Sequence, residues 1–200
     1  SGIFHKNTKA IISNGVILDL GVLLQEIDTL KKEGIRVTNK LVISPRCHLI
    51  LPYHKALDAA YENARGKKKL GTTKRGIGPS YSDKVSYNGL RVYDIIDWKE
   101  FCEKFRFQAK IKNKILKTFG VKPINIESSL TELKKQRTRI LPFVKDVFEI
   151  LNNAVAAKKK ILFEGAHGIM LDLDWSPYPY ATGSNTVVGS VNTGSGLPIR

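Results

Sequence analysis

The apolar positions of this chain follow two periods. From Lys9 to Leu18 they fall at 10–12 and 16–18, and the segment reads as a buried strand in which Gly15 marks a close backbone approach. From Asp19 the period lengthens. Leu20, Leu23, Leu24, Ile27 and Leu30 share one helical face, Asp19 is placed as its N-cap, and Lys31, Lys32 and Gly34 give a basic last turn and a stop. Leu41 to Ser44 and Leu49 to Leu51 read as short strands around Pro45. Tyr53 to Ala64 reads as a helix with Ala56, Leu57, Ala60 and Tyr61 inward. Asp97-Trp98-Lys99-Glu100 has the form of a capping box and opens a helix that ends near Gly120. Ser129-Leu130-Thr131-Glu132 opens a second helical stretch to about Ala157, which Pro142 should kink or restart. Lys160 to Glu164 reads as a final strand.

Helices between apolar strands predict an α/β fold: a largely parallel central sheet flanked by helices, with a helical insertion over about 97–157. In such sheets ligands bind beyond the carboxyl ends of strands, where the segment beginning at Gly165 would emerge.

Composition narrows the classes. A chain of 200 residues, 42% of them hydrophobic, can bury a core and is read as one domain over 1–200. Its two cysteines, Cys47 and Cys102, form no C-x-x-C or Cys/His cluster, so neither a disulfide framework nor a zinc site is indicated, and a reduced, cytoplasmic setting fits. No apolar run approaches a membrane span. The net charge of +15 raises nucleic-acid binding. The lysines, however, lie in short scattered clusters such as 67–69, 134–135 and 158–160, with no nucleic-acid-binding pattern around them, and a solvated basic surface accounts for them.

Two segments carry chemistry. In Gly71-Thr72-Thr73-Lys74-Arg75-Gly76-Ile77-Gly78-Pro79-Ser80-Tyr81-Ser82-Asp83-Lys84, glycine and proline punctuate too often for a regular helix. Glycines that expose backbone N–H groups, two hydroxyls and three cations suit an anion-binding loop; a basic surface turn is the plain alternative. The second segment runs from Phe163-Glu164-Gly165-Ala166-His167-Gly168-Ile169-Met170-Leu171-Asp172-Leu173-Asp174 into Tyr178-Pro179-Tyr180-Ala181-Thr182-Gly183-Ser184-Asn185-Thr186. Asp172 and Asp174 form a carboxylate pair for which a structural role is favoured.

In type, order and spacing the two segments resemble the adenylosuccinate synthetase family, with its GTT-x-[RK]-GIGP-x-Y-x-x-K loop and later EGA-x-x-x-LD-[IL]-D…YP-[YF]-x-T-x-SN stretch. The resemblance spans the chain, from Ser1-Gly2-Ile3 to Gly194-Ser195-Gly196-Leu197-Pro198. It implies a fold of the P-loop nucleotide-hydrolase-like type. The implied activity is a GTP-dependent ligase joining IMP and L-aspartate, with Mg2+, in a cytoplasmic homodimer without nucleic-acid or membrane partners. The family's GDEGKGK phosphate loop and GGHNAGH segment are not in the sequence. The chain is therefore expected to be the central portion of a longer enzyme, inactive alone, with the GTP and Mg2+ ligands outside it.

By the same resemblance Thr73 and Thr182 contact the IMP 5′-phosphate, and Lys84 lies near the active site. His167 stands where the family carries Gln or Asn over position 6 of the purine. Tyr87 stands where the family has an arginine reaching the partner subunit's IMP, and Arg91 is the nearby cation. A non-catalytic nucleotide-binding relative, suggested by the missing loop and by Tyr87, is the second reading; a basic RNA-associated domain is the third.

Overall fold

The computed structural model describes residues 2–198. Strands β1 (Ala10–Ile12) and β3 (Leu41–Ile43) pair in parallel, as do β2 (Ile17–Leu18) and β4 (His48–Leu49). The parallel pairing agrees with the α/β expectation, but the sheet is two short pairs rather than one uninterrupted surface. The predicted strand from Lys9 to Leu18 is accordingly two strands. Asn14-Gly15 makes a turn between them, closed by Val16 N–H on the Ser13 carbonyl. Gly15 is a close approach as read: a Cβ there would lie 3.2 Å from Gly194 Cα.

Helix α1 (Leu20–Lys32) begins where the sequence places it. The Asp19 carboxylate accepts the Gly21 and Val22 N–H groups, and Gly34 follows the helix at φ +78°. Its buried stripe of Leu20, Leu23, Leu24 and Ile27 joins the main core, each side chain contributing about 1.5–3 kcal/mol relative to exposure. Helix α2 (Pro52–Ala64) carries Pro52 in its first turn and packs Leu57 and Ala60 on Leu116. Asp97 caps α4 (Trp98–Thr118) as predicted.

Three predictions fail for identifiable reasons. Residues Ile77–Val85 form helix α3 despite their glycine and proline. Gly78 and Pro79 fall in its first turn, where backbone N–H groups have no intrahelical partner to lose. Helix α5 (Ile126–Ile140) starts before Ser129, because Asn125 takes the N-cap and accepts the Ser128 N–H; Ser129 Oγ instead bonds back to the Asn125 carbonyl. After α5, Pro142 does interrupt the stretch: a 3-10 turn spans 141–143, and α6 (Val147–Ala156) restarts with Asp146 as cap. Finally, 160–164 is not a strand. No strand among the described residues pairs with it, only Ile161 packs against the Val42–Val147 cluster, and Leu162 is 90% exposed. The last helix, α7, is Ser190–Ser195.

Candidate functional site

The glycine-rich segment crosses the buried side of α2 and then enters α3. Gly71, Lys74 and Gly76 all have positive φ (+75°, +55° and +81°), so the loop turns sharply at both ends. Two carboxylates from α2 hold it. Glu62 accepts the Gly71 N–H at 2.7 Å, and the neighbouring N–H groups of Leu70 and Thr72 also favour its charged form. Asp58 accepts the Gly76 N–H at 2.8 Å. Burial would raise the Glu62 carboxyl; those backbone donors, with Arg65, outweigh it and hold its pKa below the ordinary value. A side chain at 76 is excluded, since its Cβ would sit 2.8 Å from the backbone of His54 and Lys55. Contrary to the sequence reading, the glycine N–H groups at 71 and 76 face α2 rather than a ligand. Thr72 Oγ1 is buried with no hydrogen-bond partner among the described residues, whereas Thr73, Lys74 and Arg75 are exposed.

The second motif lies against α3. Gly183 rests on the Tyr81 ring; burial shifts the Tyr81 phenol upward, and nearby Ser184 partly offsets that shift. Thr182 donates its N–H to the Leu171 carbonyl at 2.9 Å, and its hydroxyl lies 3.3 Å from that of Ser184. Asp172 organises this segment. Fully buried, it accepts N–H groups from Asp174 (3.0 Å), Thr186 (2.5 Å) and Val187 (3.3 Å), which together keep its carboxyl below the ordinary value against the opposing effect of burial. Thr186 Oγ1 ties the motif back to the Gly168 carbonyl at 2.8 Å. His167 stands exposed at the tip before this knot, with φ +64°.

Lys84 ends α3, its ammonium 5.5 Å from the Tyr81 ring centroid. With Arg46, His48, Tyr87 and Arg91 it lines a cleft of about 570 Å³. Burial, then the charge of Arg91, lowers the Lys84 pKa. Arg91 Nε–H donates to His48 Nε2 at 3.2 Å. His48 is pushed down to about 4, by burial first and then by Arg91 and Lys84, so it is neutral near pH 7. Tyr87 is 97% exposed at φ +62°. Behind the cleft, buried Asp83 accepts from His54 Nε2 at 2.9 Å and from Lys112, fixing α3 to α2 and α4.

The predicted residues thus fall into three places. Thr73 and Thr182 sit on the two loops that α3 joins; Lys84 and Tyr87 line the cleft at its far end; His167 occupies the tip. No hydrogen bond or ion pair among the described residues links His167 to Thr73, Thr182 or Lys84. Sequence reasoning missed Asp58, Glu62 and Tyr81. The signal for the carboxylates was present: four residues apart on one helical face, flanked by Leu57 and Ala60, and followed by a glycine loop. The described residues gather no group of three or more His, Cys, Asp or Glu side chains able to hold a metal ion.

Parallel strand pairs covered by helices, with a basic glycine-rich loop feeding a helix, define an α/β protein. Comparison with known proteins narrows this further. The family model "Adenylosuccinate synthetase" matches residues 1–200, and the chain belongs to that family. Adenylosuccinate synthetases of Clostridium kluyveri and Syntrophobacter fumaroxidans are 44% and 47% identical to it, each over 98% of this chain and 46% of the relative. A fully ligated adenylosuccinate synthetase from Plasmodium falciparum superposes with a TM-score of 0.88 at 29% identity, over 98% of this chain and 46% of the other. The chain therefore spans about half the length of the relatives it matches.

Proposed function

We propose that this chain supplies the IMP-holding part of a GTP-dependent ligase that joins IMP and L-aspartate to give adenylosuccinate, GDP and phosphate. The observation that carries the reading is the seating of Gly183 on Tyr81, which brings the Thr182 segment onto the helix that the Thr73 loop opens. Two hydroxyl-bearing loops on one helix suit a phosphate monoester, whose oxygens accept hydrogen bonds from both sides. On this reading Thr73 and Thr182 hold the 5′-phosphate. His167 donates an N–H to the purine oxygen at position 6 as negative charge builds there during phosphoryl transfer from GTP. Lys84 adds positive charge from the end of α3. GTP and magnesium belong to residues outside this chain. The active form is a cytoplasmic homodimer in which the Tyr87 cleft faces the partner's site.

The test uses the full-length protein. It should form adenylosuccinate from IMP, aspartate and GTP. Thr73→Ala and Thr182→Ala should each raise KM for IMP about 10- to 100-fold, the usual consequence of removing a charge-assisted hydrogen bond of about 1.5–3 kcal/mol, and leave KM for GTP unchanged. Absence of adenylosuccinate, or an unchanged KM for IMP in both variants, would refute the assignment.

A further inference from the structure

The Gly71–Gly76 loop is held from behind by charge. Asp58 and Glu62 are 6% and 2% exposed, and they accept the amides at the two ends of the loop, those of Gly76 and Gly71. Both come from one rigid helix. Leu57 and Ala60 of α2 pack on Leu116, and Tyr53 packs on Phe105, so neither carboxylate can follow a moving loop. Hydrogen bonds to an ionised acceptor are roughly twice as strong as neutral ones, which suits them to holding left-handed backbone at Gly71 and Gly76.

This arrangement fixes the side from which an anion can approach. On the α2 side the donors are taken and two carboxylates would repel it. On the other side Thr73, Lys74 and Arg75 are exposed, and a Cβ built on Gly71 or Gly78 meets nothing within 4 Å. The Ile77 and Gly78 amides, at the start of a helix with no side-chain cap, also meet no acceptor among the described residues.

We propose that Asp58 and Glu62 are positioning residues for substrate binding: they take up the amides at the back of the loop and turn Thr73, with the free amides at the start of α3, toward the nucleotide phosphate. This rests on the reading of the loop as the IMP phosphate site. The charged pair therefore sets IMP affinity without touching IMP.

The experiment uses the full-length protein with Glu62→Gln and Asp58→Asn, which keep shape but place an NH2 group among backbone donors. KM for IMP should rise about 10- to 100-fold, the scale of losing a supporting carboxylate or displacing a contact by about 1 Å, while kcat at saturating IMP stays within about threefold. A purely structural role would lower Tm and leave KM unchanged, which would overturn the proposal. The wild-type protein gives a second readout that needs no variant. In 15N–1H spectra, saturation with IMP should move the Ile77 and Gly78 amides more than those of Gly71 and Gly76; the reverse order would overturn the proposal. Thr73→Ala separates the two ideas. If it weakens IMP binding and Glu62→Gln and Asp58→Asn do not, the anchors alone fail; if Thr73→Ala also has no effect, the loop is not the phosphate site.

Discussion

Gly183 lies on the ring of Tyr81 so closely that a Cβ at 183 would come within 2.8 Å of Tyr81 Cδ2, 3.0 Å of Cγ and 3.1 Å of Cβ. Two segments about a hundred residues apart in the chain therefore share helix α3 as a floor. The start of that helix receives the Thr73 loop, its middle carries Tyr81, and its end carries Lys84. Because the blocking atoms include Tyr81 Cβ, the ring cannot swing clear without moving the helix.

Gly183→Ala should consequently displace the 180–186 segment. Overpacking of this kind costs about 1–3 kcal/mol. Hydrogen exchange in the 180–186 amides should quicken, and Tyr81→Ala in the same chain should restore part of the protection. If Gly183→Ala exchanges like the wild type, the close packing does not matter to the segment.

How much of this was legible in the sequence varies by element. The caps at Asp19 and Asp97 and the break at Pro142 were readable because each acts within a turn or two of its own position. Residues 160–164 were misread because an apolar run specifies burial in general but not the partner edge a strand needs. The Ile77–Val85 helix is not legible from composition, because glycine and proline break a helix in its interior but are tolerated in its first turn, where Gly78 and Pro79 lie. At the site, the motifs themselves stood out. The groups that hold them, Asp58, Glu62 and Tyr81, were hidden because their roles depend on contacts between segments.

Acid should destabilise the fold in a defined window. His48 has its pKa lowered to about 4 by burial and then by Arg91 and Lys84; His54 is lowered by burial, which outweighs its bond to Asp83. A group with a depressed folded pKa contributes stability that is present above its unfolded pKa and lost as pH falls toward the folded one. Stability should therefore decline from about pH 6.5 toward pH 4, as the unfolded chain takes up protons that the folded histidines refuse. Asp83, lowered by His54 and Lys112 against the effect of burial, has the same sign and adds a further loss below about pH 4. Denaturant titrations across this range should show the decline, and His48→Gln should flatten its part. A flat profile between pH 6.5 and 4.5 would contradict the buried neutral state of both histidines.

Removing Asp83 tests the buried network directly. It leaves Lys112 and His54 facing each other without their shared acceptor, so Asp83→Ala should cost about 3–5 kcal/mol, as breaking a buried charged pair usually does. A loss below about 1 kcal/mol in chemical denaturation would mean that water replaces the carboxylate readily.

Tyr87 offers a test of assembly. An aromatic side chain 97% exposed, at positive φ and on the rim of a cleft that Lys84, Arg91 and Asp94 also line, has little to hold it within its own chain. If the cleft faces a second subunit, Tyr87→Cys in a Cys102→Ser background should cross-link between chains of the full-length protein, Cys47 being buried. Cross-links confined to a single chain would place the interface elsewhere.

His167 separates the catalytic from the structural view of the second motif. It stands exposed at φ +64°, a backbone region that histidine and asparagine tolerate better than most residues and that β-branched ones avoid. Its backbone could therefore be the reason for its presence. If instead its ring N–H meets the purine oxygen, His167→Gln in the full-length enzyme should keep most of the activity, because one N–H donor replaces another. His167→Ala should then lose about 10²–10³ in kcat, the usual cost of deleting a donor to a developing oxyanion. His167→Gly sharpens the comparison, since it relieves the positive φ yet removes the donor: a conformational role predicts an active glycine variant, a catalytic role an impaired one. Full activity in both the alanine and glycine enzymes would leave Thr73 and Thr182 to carry the site.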